Sequence, residues 1–246
     1  NQFESDQQIC QVLDNQYNKD GANNFSQQLA KNVISLCNKF QVSNNKILNL
    51  GCSVGRTAFE LATSFSQVDG VDFSARVIQY GVNLQLGKTV RFQTINEGDL
   101  VSFNEVELNA SLKENQSHVT FSQGDAVNLK PIFTGYDVIL LQQVLEQSYA
   151  PKKVLTDIGK RLNKKGLLII ATNNTFNEQL TDKKQWLGGT KINGENVSVF
   201  DGVSAILSSK FSLLTTSLLM QIVKLNTHQQ VHNHIELSVW QLNDES

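Results

Sequence analysis

The run Lys46–Thr57, KILNLGCSVGRT, reads as a strand, a glycine turn and a helix start, and a second apolar run follows it and closes on Asp72. An acidic residue about 20 positions beyond such a turn is placed to take the hydroxyls of a ribose, so the pair marks a nucleotide site on an α/β sheet. The dinucleotide fingerprint G-x-G-x-x-G needs glycine at Ser53 and Arg56, and neither position has it. A P-loop needs four residues between its glycines and then Lys-Ser/Thr. Here three residues separate Gly51 from Gly55, and Arg56 follows. With no phosphate cradle, the segment suits a nucleoside cofactor that carries no phosphate, S-adenosylmethionine (SAM). Such a ligand needs a tight turn to lie across, Gly51, Cys52 and Gly55, and an acid beside it, Asp72 with the adjoining Phe73.

Composition narrows the partners. A chain of 246 residues, 40% hydrophobic and 18% charged, has enough apolar material for one α/β core, and residues 1–246 are expected to form a single domain. The net charge of −2 and scattered Lys and Arg supply no cationic field for nucleic acid or an acidic membrane, so a small-molecule substrate is expected. Cys10, Cys37 and Cys52 are odd in number and lack CxxC spacing, which predicts neither disulfides nor a zinc site and suggests a reducing, cytoplasmic setting. No apolar run reaches the ~20 residues of a membrane span, and the opening NQFESDQQIC lacks the blocks of a signal peptide. Met220 is the only methionine, so Asn1 is expected to follow a trimmed or excised segment.

The periodicities predict an ordered α/β course. Helical spacing of Ile9, Val12 and Leu13, then Leu29, Val33, Ile34 and Leu36, interrupted near Gly21, predicts a helical N-terminal cap over residues 1–45. Strand, helix and strand follow as KILNL, Gly55 to about Phe65, and VDGVDF, with Ser74 as N-cap of the next helix. Residues 88–108 break that rhythm: VRFQTINEGDLVSFNEVEL alternates apolar and polar residues about Asn96-Glu97-Gly98-Asp99, a hairpin inserted between the second and third parallel strands. HVTFSQGDA and YDVILLQQV are the next two strands; a helix from Pro151 to Leu162 and the turn NKKG lead to LLIIAT. FSLLTTSLLMQIVKLN and HIELSVWQL form a closing antiparallel pair. The expected fold is α/β, the class I SAM-dependent methyltransferase architecture, with a Rossmann-like seven-stranded sheet whose last strand is antiparallel.

Ligands of open α/β sheets bind outside the carboxyl ends of the strands. The first strand presents Gly51 to Gly55, with Arg56 either at the helix surface or paired with the cofactor's methionine carboxylate. Asp72 ends the second strand as a ribose ligand or, alternatively, an acid at a helix N-terminus. Gly124, Asp125 and Ala126 end the third, as an adenine contact or a plain Gly-Asp turn. Gln142, Gln143 and Glu146 follow the fourth, beside the transferred methyl group. His232 and His234 share a strand face, but no companion ligand stands at metal spacing, so no metal is expected; a single His232 lining the substrate pocket fits better. QWLGGT, from Trp186 to Thr190, is a hairpin loop or a lid carrying Trp186 over the substrate.

LNLGCSVGRTAFELA, GVDFSARVIQ, EGDLVSF, FSQGDAVNL, KKQWLGG and SVWQL together resemble the thiohistidine N-methyltransferases of ovothiol biosynthesis. These occur as the C-terminal domain of the bifunctional 5-histidylcysteine sulfoxide synthase or as stand-alone enzymes. The resemblance covers nearly the whole chain, hairpin included. It implies metal-free transfer of a methyl group from SAM to a ring nitrogen of 5-thiohistidine, giving ovothiol A and S-adenosylhomocysteine, in a protein fused to or paired with a sulfoxide synthase. Tyr17, Asn24 and Phe25 match the family's cap and would face the cofactor or substrate. Asn49 stands where the family has aspartate, Gln16 where it has histidine, and Gln143 and Glu146 where it has Asn and Asp. On this reading Gln143, Glu146 and His232 form the catalytic centre and hold the imidazole and amino-acid ends, Trp186 covers them, and Lys224 neutralises the substrate carboxylate. Two rivals stay open: a SAM methyltransferase for another small molecule, and a non-catalytic SAM-binding domain that regulates a fused or partner enzyme. The Asn/Asp-Pro-Pro-aromatic signature of DNA amino-methyltransferases is excluded, because Pro131 and Pro151 are the only prolines.

Overall fold

The computed structural model describes residues 5–17 and 24–244. The chain opens with α1 (Asp6–Tyr17) and α2 (Phe25–Phe40), whose buried stripes, Ile9 and Leu13 in one and Leu29, Val33 and Cys37 in the other, recur at helical spacing. Asn24 caps α2 by accepting from the Gln27 amide, and Gln41 ends it in the left-handed region at φ 55°. The turn expected near Gly21 lies outside the described residues. Next come β1 (Lys46–Leu50), α3 (Arg56–Leu61), β2 (Gln67–Asp72) and α4 (Ala75–Gln85), then the hairpin β3 (Val90–Glu97) and β4 (Leu100–Val106). A short α5 (Ala110–Glu114) leads to β5 (Val119–Gln123), β6 (Tyr136–Gln142), α6 (Pro151–Ile158) and β7 (Leu162–Thr172). The chain closes with the small hairpin β8 (Thr190–Ile192) and β9 (Glu195–Val197), then α7 (Val199–Leu207), β10 (Phe211–Lys224) and β11 (Gln230–Leu242).

Seven strands form one sheet in the order β10-β11-β7-β6-β1-β2-β5. β11 runs antiparallel to both β7 and β10 and every other neighbouring pair is parallel, as expected for the class I methyltransferase sheet. Strand alternation divides the buried residues between two faces. Ile47, Val138, Leu140, Leu167 and Ile169 pack under α1 to α4, whereas Leu48, Ile139, Leu141, Leu168 and Ile170 pack against α6 and α7. The NKKG segment, expected as a turn, is absorbed into β7 as an irregularity with Lys165 at φ 60°, and α3 ends at Leu61, four residues before the expected Phe65. Among the described residues no helix is long and apolar enough to cross a membrane.

Close packing fixes the strand tips. A Cβ on Gly51, at φ 76°, would lie 2.4 Å from the Gln142 carbonyl oxygen, so β1 and β6 approach only because the side chain is absent. The Phe121 ring on β5 fills a cradle of three glycines: a Cβ on Gly55, Gly70 or Gly81 would stand 2.5, 2.9 or 3.3 Å from it. Phe59 meets the same ring edge-on, with centroids 5.3 Å apart.

Candidate active site

The carboxyl ends of β1, β2, β5 and β6 open into one cavity of about 520 Å³. Gly51 and Ser53 come from the first tip, Asp72 and Phe73 from the second, Gly124, Asp125 and Ala126 from the third, Gln142 and Gln143 from the fourth. Backbone hydrogen bonds set the turn: the Gly51 and Cys52 amides both donate to the Val71 carbonyl, at 2.8 and 3.2 Å. Ser53 takes a left-handed φ of 53° without being glycine, and its amide donates to Asp72 Oδ2 at 2.9 Å. The Ser74 amide donates to Asp72 Oδ1 at 3.0 Å, while the Ser74 hydroxyl caps α4. Asp72 therefore joins the glycine turn to the next helix and still faces the cavity. Asp125 Oδ1 accepts from the Val127 amide at 2.8 Å, and its Oδ2 accepts the Tyr149 hydroxyl at 2.8 Å. Asp72 and Asp125 line the cavity, and no Lys, Arg or His does among the described residues. That charge pattern disfavours phosphates and suits a cationic ligand.

A family model described as Methyltransferase domain matches residues 41–227. The chain belongs to this methyltransferase family. No curated protein sequence matches the chain. Among solved structures, an S-adenosylmethionine-dependent methyltransferase from Clostridium acetobutylicum ATCC 824 is similar with a TM-score of 0.58 at 12% identity, over 94% of this chain and 96% of that one. The N-methyltransferase NodS from Bradyrhizobium japonicum WM9, in complex with S-adenosyl-L-homocysteine, is similar with a TM-score of 0.55 at 12% identity, over 95% and 98%. The PH0226 protein from Pyrococcus horikoshii OT3 is similar with a TM-score of 0.53 at 17% identity, over 88% and 91%. At such identities the likeness carries the fold.

In this methyltransferase the predicted residues divide into those that line the cavity and those that build its frame. Gly51, Asp72, Phe73, Asp125, Ala126, Gln142, Gln143 and Phe25 line it. Cys52 is wholly buried beneath the turn, and burial pushes its thiol well up, so it stays protonated packing material. Gly55 caps α3 against Phe121. Arg56 does not await a ligand carboxylate: it is 2% exposed, pairs with Glu60 at 2.7 Å and donates to the Gln16 carbonyl. Tyr17 is likewise a fastener, its hydroxyl donating to the Val54 carbonyl at 2.9 Å, and Asn24 is spent on capping α2 and on the Gln16 carbonyl. These three residues clamp the N-terminal helices onto the glycine turn, so that Gln8, Gln11, Asn15 and Gln16 of α1 wall the cavity.

Four other expected site residues do not line the cavity. Glu146 is 3% exposed and does not line the cavity; the Asn173 amide donates to its Oε1 at 3.1 Å, and burial raises its carboxyl pKa. His232 is exposed and contacts Gln230, because strand alternation turns Asn233 toward the opposite face. Lys224 pairs with Asp14 at 3.7 Å and lines a separate cavity beside β3. Trp186 is docked: its indole N–H donates to the Thr181 carbonyl at 2.9 Å and its ring lies on Phe176. Among the described residues no three His, Cys, Asp or Glu groups come together as a metal site.

Sequence reasoning missed Tyr149, which holds Asp125, and Gln221 of β10, which lines the cavity. Gln221 did leave a signal, a lone amide inside the apolar run LLMQIV. The β8–β9 hairpin was also missed, although Asn193-Gly194 at its turn is a strong hairpin pair.

Burial raises the Asp72 carboxyl above its ordinary value, opposed by the amides of Ser74, Ser53 and Phe73. An ionised carboxylate has about four acceptor sites, room for two ribose hydroxyls beside the Ser53 and Ser74 amides, and protonation turns one of its oxygens into a donor. SAM affinity is therefore expected to fall as pH is lowered from neutrality through the raised Asp72 pKa, and Asp72→Asn should flatten that dependence at weaker affinity. Calorimetric titration across the range checks the sign; a wild-type affinity that rises on acidification contradicts it.

Proposed function

We propose that this methyltransferase binds SAM across the tips of β1, β2 and β5 and methylates a ring nitrogen of 5-thiohistidine, giving ovothiol A and S-adenosylhomocysteine. One observation carries the cofactor half: the cavity wall bears two carboxylates and no basic side chain among the described residues, at the end of a turn with no phosphate cradle. A sulfonium cation with a nucleoside matches that wall. Asp72 takes the ribose hydroxyls, and Asp125 with the Ala126 amide reads the adenine edge. The acceptor half rests on the family resemblance and on Gln143, which lines the cavity where the transferred methyl would stand.

SAM supplies the electrophilic methyl carbon. The ring nitrogen gives its lone pair to that carbon as the carbon–sulfur bond breaks, and the ring's other N–H proton leaves to solvent. The chain's task is to hold nitrogen, carbon and sulfur in line and to exclude water, a positioning effect worth up to ~7–11 kcal/mol. Orientation also selects the product, because the substrate thiolate is the stronger nucleophile and must be turned away from the methyl group. Incubation with SAM and, in parallel, 5-thiohistidine, histidine or ergothioneine, followed by fragmentation mass spectrometry, tests the reading. The expected result is one methyl on a ring nitrogen of 5-thiohistidine. An S-methyl product overturns the orientation, and no product from any of the three despite tight SAM binding overturns the acceptor and favours a regulatory SAM-binding domain.

A further inference from the structure

We propose that Gln221 and Gln143 form a carboxamide clamp for the methyl acceptor, one that takes a neutral azole ring in preference to an amine or a carboxylate and fixes which ring nitrogen is methylated. The inference rests on reading the strand-tip cavity as the transfer site.

The two side chains come from distant parts of the chain and meet across the cavity. Gln221 Nε2 donates to Gln143 Oε1 at 3.0 Å, and Gln143 Nε2 returns a longer contact to Gln221 Oε1 at 3.4 Å. Asn233 Nδ2 donates to the same Gln221 oxygen at 3.2 Å, from the position opposite it on β11. Gln143 is held for this task. Its backbone stands at φ 53°, outside the range most side chains favour, and its amide donates to the Ala171 carbonyl at 2.8 Å, which aims the side chain off the tip of β6.

Sheet order separates two halves of the cavity. β1, β2 and β5 lie on one side of β6 and carry Asp72 and Asp125; β7, β11 and β10 lie on the other and bring Gln221. No Lys, Arg, His or Glu lines the cavity among the described residues, and Lys224, three residues along β10, is tied to Asp14. A carboxylate entering this half would lose water and find no counter-charge among the described residues, and an ionised amine would find carboxylates only on the far side of β6, at Asp72 and Asp125, so both are costly here. A neutral azole would not, because each carboxamide offers a donor and an acceptor. The 3.4 Å contact is the weaker of the pair and yields first. Insertion of a ring there lets a glutamine oxygen accept the azole N–H, which pins the tautomer and leaves the lone pair on the other ring nitrogen, facing the glycine turn. The freed amide N–H donates to a neighbouring substituent, and in 5-thiohistidine a hydrogen bond to the thiolate would keep sulfur out of line.

The test uses the whole protein saturated with S-adenosylhomocysteine and titrated with imidazole, methylamine or acetate, followed by NMR. Imidazole is expected to bind saturably and the two ions not. Gln221→Leu should weaken imidazole about tenfold or more, the scale of a lost hydrogen-bonding pair, while S-adenosylhomocysteine affinity changes less than about threefold. Gln221→Glu should move the optimum for imidazole to lower pH, because a carboxylate there favours imidazolium, a shift that a merely structural role would not produce. Absence of saturable imidazole binding by the wild type, equal binding of methylamine, or unaltered imidazole affinity and pH dependence in both variants overturns the clamp. Imidazole binding lost as expected in Gln221→Leu supports it even if 5-thiohistidine is not methylated, in which case the acceptor is another azole and only the named substrate fails.

Discussion

Asp72→Ala is expected to weaken SAM binding at least about a hundredfold, close to 2.7 kcal/mol. Two effects combine. The variant removes the acceptor proposed for two ribose hydroxyls, and hydrogen bonds to charged groups contribute roughly 1.5–3 kcal/mol each. It also releases the amides of Ser53 and Ser74, which now share that carboxylate at 2.9 and 3.0 Å, so the glycine turn loses its attachment to α4. Asp72→Asn separates the two, since its side-chain oxygen can hold one amide while the charge is gone; an intermediate affinity is expected. Calorimetry measures both. Affinity unchanged in Asp72→Ala would remove the ribose assignment and the division of the cavity that depends on it.

Gly202→Ala is expected to destabilise the protein by about 3 kcal/mol or more, although residue 202 lies outside the cavity lining. A Cβ there would fall 1.6 Å from the Leu187 carbonyl oxygen, and one on Gly188 would fall 2.0 Å from the carbonyl oxygen of Ser198. Backbone faces backbone at both positions, so no side-chain rotation relieves the clash. The Trp186 loop is therefore seated on the start of α7 by paired glycines. Urea unfolding monitored by circular dichroism measures the loss; a midpoint equal to wild type would contradict the contact, and SAM affinity per folded molecule should hold.

The sequence was informative where the deciding interactions are local. Gly51, the Ser74 cap and the alternation about Asn96-Glu97-Gly98-Asp99 each specify their own few residues, and the structure carries the turn, helix and hairpin there. The cofactor half follows because four parallel strands end at one edge. The half proposed for the acceptor was not legible because it depends on pairing between remote segments. Period two shows that His232 and Asn233 face opposite ways, but only the β10–β11 register, with Gln221 opposite Asn233, decides which of them reaches Gln221 at the cavity wall. Charge alone also misled: Arg56 and Lys224 suggested free cations for ligand carboxylates, and each has a carboxylate partner in the protein, Glu60 and Asp14.

The Phe121 ring bears on how such a chain can diverge. Three glycines on the turn cap, β2 and α4 meet one side chain of β5, and at residues 55 and 70 a Cβ would fall under 3.0 Å from that ring, so these positions and 121 are not free to change alone. A methyl added at residue 55 or 70 requires a smaller residue at 121, and a smaller residue at 121 leaves a void that three separate glycines cannot fill. In descendants of a common ancestor these sites should be inherited as a block, so a lineage that exchanges Phe121 will also have exchanged its glycines.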